Sequence, residues 1–199
     1  MTSGKILIHQ SIFEAVKQRV VEKVQKLKMG NPMDPSVNIG PLINQRQCER
    51  VEGLVQSAIT AGAKLEVGGK ANGVFFEPTV LSQVTQDNPI FEQEIFGPVA
   101  VLIPFATDEE AIVLANMGDY GLSAGIITSN VSHGMQVAQS LKVGLLHINY
   151  QTVNDETLNP FGGFGASGNG TRIGGPANVD EFTQWQWMTI QAQAPNYPF

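Results

Sequence analysis

Two carboxylates and an aromatic ring crowd one short stretch, Pro89-Ile90-Phe91-Glu92-Gln93-Glu94-Ile95-Phe96-Gly97-Pro98-Val99-Ala100-Val101. Glycine tolerates unusual backbone angles, while proline fixes its own φ and disfavours helix just before it. The Gly97-Pro98 pair therefore makes a corner, and the apolar run over 99–105 that follows reads as a buried strand. A loop aimed by a rigid strand is the usual place for side chains that touch a ligand. A solvated acidic turn describes the same residues equally well.

Other motifs carry less. Gly163-Phe164-Gly165-Ala166-Ser167-Gly168 matches G-x-G-x-x-G letter for letter. A dinucleotide fingerprint needs those glycines between a strand and a helix, so that phosphate meets the helix N-terminus. Here the preceding strand ends at Asn149, and Gly170, Gly174, Gly175 and Pro176 oppose a following helix. The match is rejected. Gly165-Ala166-Ser167-Gly168-Asn169 resembles a nucleophile elbow but has Asn169 in place of the last glycine, and no strand leads in. His9, His133 and His147 are scattered and read as structural or surface residues, without metal-ligand spacing. Cys48 is the only thiol. It lies in the first turns of a helix near Arg46 and Arg50, which favours a thiolate, but it falls on the apolar face, where a cysteine packs as a small hydrophobe. Packing is the preferred reading.

The elements that must position these residues follow from periodicity. A strand is expected over 5–10, then a helix capped by Ser11 with Glu14 at the capping-box position and Phe13, Val16, Val20, Val24 and Leu27 on one face. A second amphipathic helix spans 44–61, with Cys48, Val51, Val55 and Ala58 inward and Gly62 as its stop. Strands over 64–67 and 75–84 flank a Gly68-Gly69 turn, and Pro78 suggests an edge or bent strand. Then come strand 99–105, helix 108–116, strand 124–128, helix 131–141 and strand 144–149. Strands alternating with helices of this length predict βαβ units on a mostly parallel sheet, an α/β fold. Residues 159–175 are glycine-dense and aperiodic. Beyond them 181–191 alternate large apolar with polar residues, which predicts a long strand able to pair elsewhere.

A composition 42% hydrophobic and 15% charged supports a real core, and the net charge of -6 argues against nucleic acid or an anionic membrane as partner. No apolar run approaches the roughly 20 residues of a membrane span. A single cysteine permits no internal disulfide, so a reducing, cytoplasmic setting is expected.

Several landmarks resemble the aldehyde dehydrogenase superfamily, in the family's order and over nearly the whole chain. They are Met29-Gly30-Asn31-Pro32, Ile39-Gly40-Pro41-Leu42-Ile43, Ala61-Gly62-Ala63, Gly68-Gly69 and Phe76-Glu77-Pro78-Thr79-Val80-Leu81. They continue with Glu94-Ile95-Phe96-Gly97-Pro98-Val99, Ala115-Asn116, Tyr120-Gly121-Leu122-Ser123, Gly144, Ile148-Asn149, Asn159-Pro160-Phe161-Gly162-Gly163 and Ala166-Ser167-Gly168. The closing Glu181-Phe182-Thr183-Gln184-Trp185-Gln186-Trp187 and Pro195-Asn196-Tyr197-Pro198-Phe199 look most like the benzaldehyde, vanillin and salicylaldehyde dehydrogenase branch.

The resemblance implies a three-layer catalytic domain over 1–170 and a C-terminal oligomerisation strand or tail over 171–199. It covers the family's C-terminal half. The cofactor domain, the general-base glutamate and the nucleophilic cysteine lie upstream of what matches, the nucleophile aligning immediately before Met1. Cys48 does not match that position. By resemblance the intact enzyme oxidises an aldehyde, preferably aromatic, to a carboxylic acid with NAD or NADP, and this chain alone is expected to be inactive. Glu94 corresponds to the glutamate that accepts hydrogen bonds from the nicotinamide-ribose hydroxyls, and Phe96 to the aromatic packed beside it. Asn149, Thr152 and Phe161 fall where the family lines its substrate tunnel. Phe164-Gly165 departs from the Xaa-Lys of many relatives. The same resemblance implies a homo-oligomer through the C-terminal strand. Two rivals remain: a catalytically dead assembly module, and an esterase using Cys48.

Overall fold

In a computed structural model, residues 4–154, 156–196 and 198 are described. Tyr197 and Phe199, part of the closing aromatic motif, lie outside them. A four-stranded sheet organises the first half. It is built from β1 (Ile6–His9), β2 (Lys64–Val67), β5 (Thr79–Ser82) and β6 (Val99–Phe105), in the order β1-β6-β5-β2. β6 runs parallel to β1 and to β5, and only β2 is antiparallel, against β5. Between β2 and β5 a small hairpin of β3 (Ala71–Asn72) and β4 (Phe75–Phe76) projects.

Alternating side chains assign the two faces. Val80 and Leu102 point to one side, where they join Ile8 and Phe13, with Val16 and Val20 of α1 (Phe13–Val24) packed on them. Leu81, Val101 and Ile103 point to the other side, against Cys48, Val51, Val55 and Ala58 of α2 (Gln45–Thr60). A period of two in the strands meets a period of about 3.6 in the helices, giving helix, sheet and helix in three layers. The inward residues expected of α2 are all buried, and Gly62, with φ +99°, ends the helix as anticipated.

α3 (Asp108–Asn116) returns from β6, with Thr107 as N-cap accepting from the Glu110 amide. The second half holds β7 (Tyr120–Gly121), β8 (Ser123–Ile126), α4 (Val131–Ala138) and β9 (Leu145–Ile148). β8 and β9 are parallel, joined across α4. The glycine-rich stretch contributes β10 (Phe164–Gly165), which pairs with β7. No helix follows it until α5 (Ala177–Phe182), which agrees with rejecting the dinucleotide fingerprint.

Three expectations need correction. The capping box at Ser11 does not form: residues Gln10–Ile12 make a 3-10 turn, and the cap is the imidazole of His9, whose Nδ1 accepts from the Ser11 amide at 3.3 Å. Pro78 marks neither an edge nor a bend, because the strand starts after it and β5 is interior, with all four residues buried. Missing N–H groups cost nothing outside the ladder. The strand expected over 181–191 is not paired in any sheet among the described residues. Its first two residues close α5, and among the described residues no strand lies alongside the rest. Trp185 and Trp187 are 98% and 94% exposed there.

Candidate active site

The loop before β6 is fixed by its buried members. Asn88 donates from Nδ2 to the Ala58 carbonyl at 3.0 Å and accepts the Ile90 amide on Oδ1 at 3.2 Å. Ile90, Phe91 and Ile95 are buried in the same core as α2. The ammonium of Lys5 stands 4.5 Å from the centroid of the Phe91 ring and donates to the carbonyls of Leu114 and Met117 at 3.0 and 2.6 Å. Lys5 thereby satisfies carbonyls at the C-terminal end of α3, where a cation also meets the negative end of the helix dipole. Burial pushes its pKa down, and Glu92 partly offsets that.

Between these anchors the chain turns sharply. Arg50 of α2 donates to the Glu94 carbonyl at 2.7 Å and to the Ile95 carbonyl at 2.9 Å. Gln47 Nε2 sits 3.4 Å from the carbonyls of both Ile95 and Phe96. Phe96 has φ +51°, an uncommon region for a bulky residue. The guanidinium and carboxamide hold the backbone in that conformation. The result is that Ile95 points into the core while Glu94 and Phe96 flank it outward, Phe96 being 63% exposed. Behind the turn Gly97 abuts Val51: a Cβ there would lie 2.9 Å from Val51 Cγ2.

The second group of site residues follows β9. Asn149, with φ +55°, returns its whole carboxamide to Thr128: Oδ1 accepts the Thr128 amide and Nδ2 donates to the Thr128 carbonyl, both at 2.8 Å. Its polar atoms thus tie the end of β9 to the residues after β8. The Thr152 carbonyl accepts from Ser123 Oγ at 2.9 Å, which folds the following loop back over β8. Phe161 forms an antiparallel bridge with Ile173 and lines a cavity of about 270 Å³ together with His147, Asn154, Glu156 and Asn159. Glu94 and Phe96 are not among the residues lining that cavity, nor are Asn149 and Thr152.

Cys48 has no exposure at all. Its Sγ sits 3.5 Å from the Phe75 carbonyl, and burial pushes the thiol pKa up, with Glu52 and Glu49 adding to the effect. A nucleophile requires the opposite on both counts. His9 is engaged at both nitrogens, by Ser11 and by the Ala106 carbonyl, and His133 pairs with Asp108. Sequence reasoning missed Arg50 and Gln47 as supports of the loop, and His147 as a cavity residue. Only the last left a trace, a lone polar residue in an apolar strand.

The family model for the aldehyde dehydrogenase family matches residues 1–188. The chain belongs to that family. Vanillin dehydrogenase of Amycolatopsis sp. is 43% identical over 200 residues, covering 100% of this chain and 41% of that protein. Benzaldehyde dehydrogenase [NAD(+)] of Pseudomonas putida is 42% identical, again over 100% of this chain and 41% of the relative. This aldehyde dehydrogenase chain thus spans about 41% of the length of those curated relatives. Among solved structures, a salicylaldehyde dehydrogenase from Pseudomonas putida G7, complexed with salicylaldehyde, superposes with a TM-score of 0.90 at 36% identity. The match covers 98% of this chain and 40% of that one. An aldehyde dehydrogenase of Mycobacterium tuberculosis complexed with NAD+ gives 0.86 at 37% identity, over 92% and 38% of the two chains.

Proposed function

We propose that this chain supplies the catalytic-domain portion of an NAD(P)-dependent aldehyde dehydrogenase that oxidises an aromatic aldehyde to its acid. The single observation that carries this reading is the Glu94–Phe96 turn. It presents an exposed Glu94 carboxylate and an exposed Phe96 ring, two positions apart, on a backbone held by Arg50. That pairing fits a nicotinamide riboside: the carboxylate accepts two ribose hydroxyls at once, and the ring packs beside the sugar and the nicotinamide. Bound NAD or NADP supplies the hydride acceptor. Glu94 orients it, Phe96 limits its movement, and Arg50 keeps both at fixed spacing. The names of the relatives, all acting on single-ring aldehydes in the cases given above except the Mycobacterium enzyme, support an aromatic substrate, and Phe161 offers the ring a flat apolar wall.

The 199 residues by themselves do not turn over aldehyde, because their one thiol is sealed in the core with a raised pKa. No helix among the described residues is long and apolar enough to cross a membrane. The chain works in the cytoplasm and associates with further copies of itself through the exposed stretch around Trp185 and Trp187. Two highly exposed indoles support that association.

The test is complementation. The chain is mixed with the upstream portion of the Pseudomonas putida benzaldehyde dehydrogenase, and benzaldehyde-dependent NADH formation is followed. Formation by the mixture and by neither part alone supports the reading. Formation by the 199-residue chain alone would overturn it.

A further inference from the structure

Asn-Gly occurs twice in the chain, at Asn72-Gly73 and at Asn169-Gly170. With no side chain on the second residue, its amide nitrogen approaches the asparagine carboxamide without hindrance, so both pairs carry the same chemistry by sequence. The fold separates them. Asn72 pairs with Phe75 across the β3–β4 hairpin, and the Glu77 amide extends the ladder by donating to the Lys70 carbonyl at 3.0 Å. At the tip the Val74 carbonyl accepts from the Leu42 amide at 2.8 Å, and Phe76 is buried. Asn169 and Gly170 instead lie in an exposed bend, in no helix or strand, between β10 and the bridge of Phe161 with Ile173. Gly170 has φ +95°, and a Cβ there would meet nothing within 4 Å. Thr171 supplies the second difference. Its amide donates to Asn169 Oδ1 at 3.1 Å, and its hydroxyl donates to the same oxygen at 2.8 Å.

We propose that Asn169 is a self-modification site, at which the loop deamidates in water to aspartate and isoaspartate. The Gly170 amide gives its proton to solvent and its nitrogen bonds to Asn169 Cγ. The bond from Cγ to Nδ2 then breaks, and that nitrogen leaves as ammonia. Water opens the resulting cyclic imide at either carbonyl. In sum a water is consumed and an ammonia released, with nothing oxidised or reduced. The two donors on Oδ1 polarise the carbonyl and hold the negative charge that develops there as the nitrogen adds, which is the arrangement of an oxyanion hole. At Asn72 the same attack requires the hairpin to open first. The product carboxylate arises close in sequence to Arg172, whose Nη1 donates to the Gly163 and Thr171 carbonyls, within the loop closed by the Phe161–Ile173 bridge. The aspartate form keeps an acceptor for Thr171, whereas the isoaspartate form lengthens the main chain of that loop.

Peptide mapping by mass spectrometry tests this on the full chain. The folded chain is incubated at neutral pH in water enriched in heavy oxygen, which labels only carboxylates formed during the incubation. Asn169 is expected to convert about ten-fold faster than Asn72, the factor that corresponds to the hairpin hydrogen bonds opened at the slower site. In urea the two rates are expected to converge. Thr171→Val, which removes the hydroxyl donor, is expected to slow Asn169 by about five-fold and to leave Asn72 unchanged, so that Asn72 reports whether the variant is folded. Equal rates at the two sites in the folded chain, or no conversion at Asn169, overturns the proposal. A difference that persists in urea also overturns it, because the fold would not be its source. An unchanged Asn169 rate in Thr171→Val overturns the part played by the Thr171 hydroxyl.

Discussion

Arg50 and Glu94 are joined through the main chain and not through their opposite charges: the guanidinium donates to the Glu94 carbonyl at 2.7 Å, and among the described residues the carboxylate makes no ion pair. A side chain-to-side chain ion pair would have neutralised the group proposed to hold a ribose. Capturing the carbonyl fixes the position of Glu94 while preserving its acceptors. Replacing Arg50 by Ala removes both of its bonds to the loop. Stability in urea is expected to fall by about 1 kcal/mol, with faster proteolysis next to Phe96 than in the parent chain.

Two glycines give opposite expectations. Ala at Gly97 places its Cβ within 2.9 and 3.0 Å of the two methyl groups of Val51, a β-branched helix residue with little rotamer freedom and no exposure. A loss of about 1–3 kcal/mol is expected. Ala at Gly53, in the middle of α2 with nothing within 4 Å, is expected to stabilise by about 0.5–1 kcal/mol. Thermal unfolding of both variants measures the contrast.

Thiol chemistry separates the packing role of Cys48 from a catalytic one. In the native chain a thiol reagent at neutral pH is expected to leave Cys48 unmodified, and to react fully after unfolding in urea. Cys48→Ala is expected to cost stability, with its buried sulfur gone, and to change no activity of the complemented enzyme.

Acid stability reports on Glu66. Burial raises its pKa, but the hydroxyl of Ser82 and the ammonium groups of Lys64 and Lys17 outweigh that and hold it below the ordinary 4.5. Its folded pKa is depressed, so its contribution is present above pH 4.5 and is lost as pH falls through the lower folded value. Glu66→Gln is expected to be less stable than the parent at neutral pH, with the difference shrinking below pH 4.5. Denaturation curves at several pH values check it.

Much of this was legible in the chain because local signals agreed with the fold. α2 begins at the residue its Asn44 cap dictates and ends at Gly62, and α3 matches its expected bounds because Thr107 and three acidic residues mark its start. The differences have more than one cause, a nearby competitor in one case and the lack of a strand partner in another. Ser11 lost the cap to His9, two residues before it, and the alternation after Phe182 meets no strand among the described residues. The Asn149 carboxamide bonds the backbone of Thr128, a contact across 21 positions that no periodicity announces. The supports of the Glu94 turn come from α2, more than 40 residues earlier.

The exposed indoles bear on assembly. Light scattering of the chain is expected to show oligomers, and Trp185→Ser with Trp187→Ser to shift them toward monomer. A parent chain that is monomeric at high concentration would remove the C-terminal stretch as an association site.

The central claim is that Glu94 holds the nicotinamide ribose. Steady-state aldehyde oxidation by the complemented enzyme, compared between parent and Glu94→Gln, tests it most directly. The account predicts a fall in kcat of about ten-fold or more, from loss of charged hydrogen bonds that orient the hydride acceptor, with the fold intact. An unchanged kcat in Glu94→Gln would contradict it.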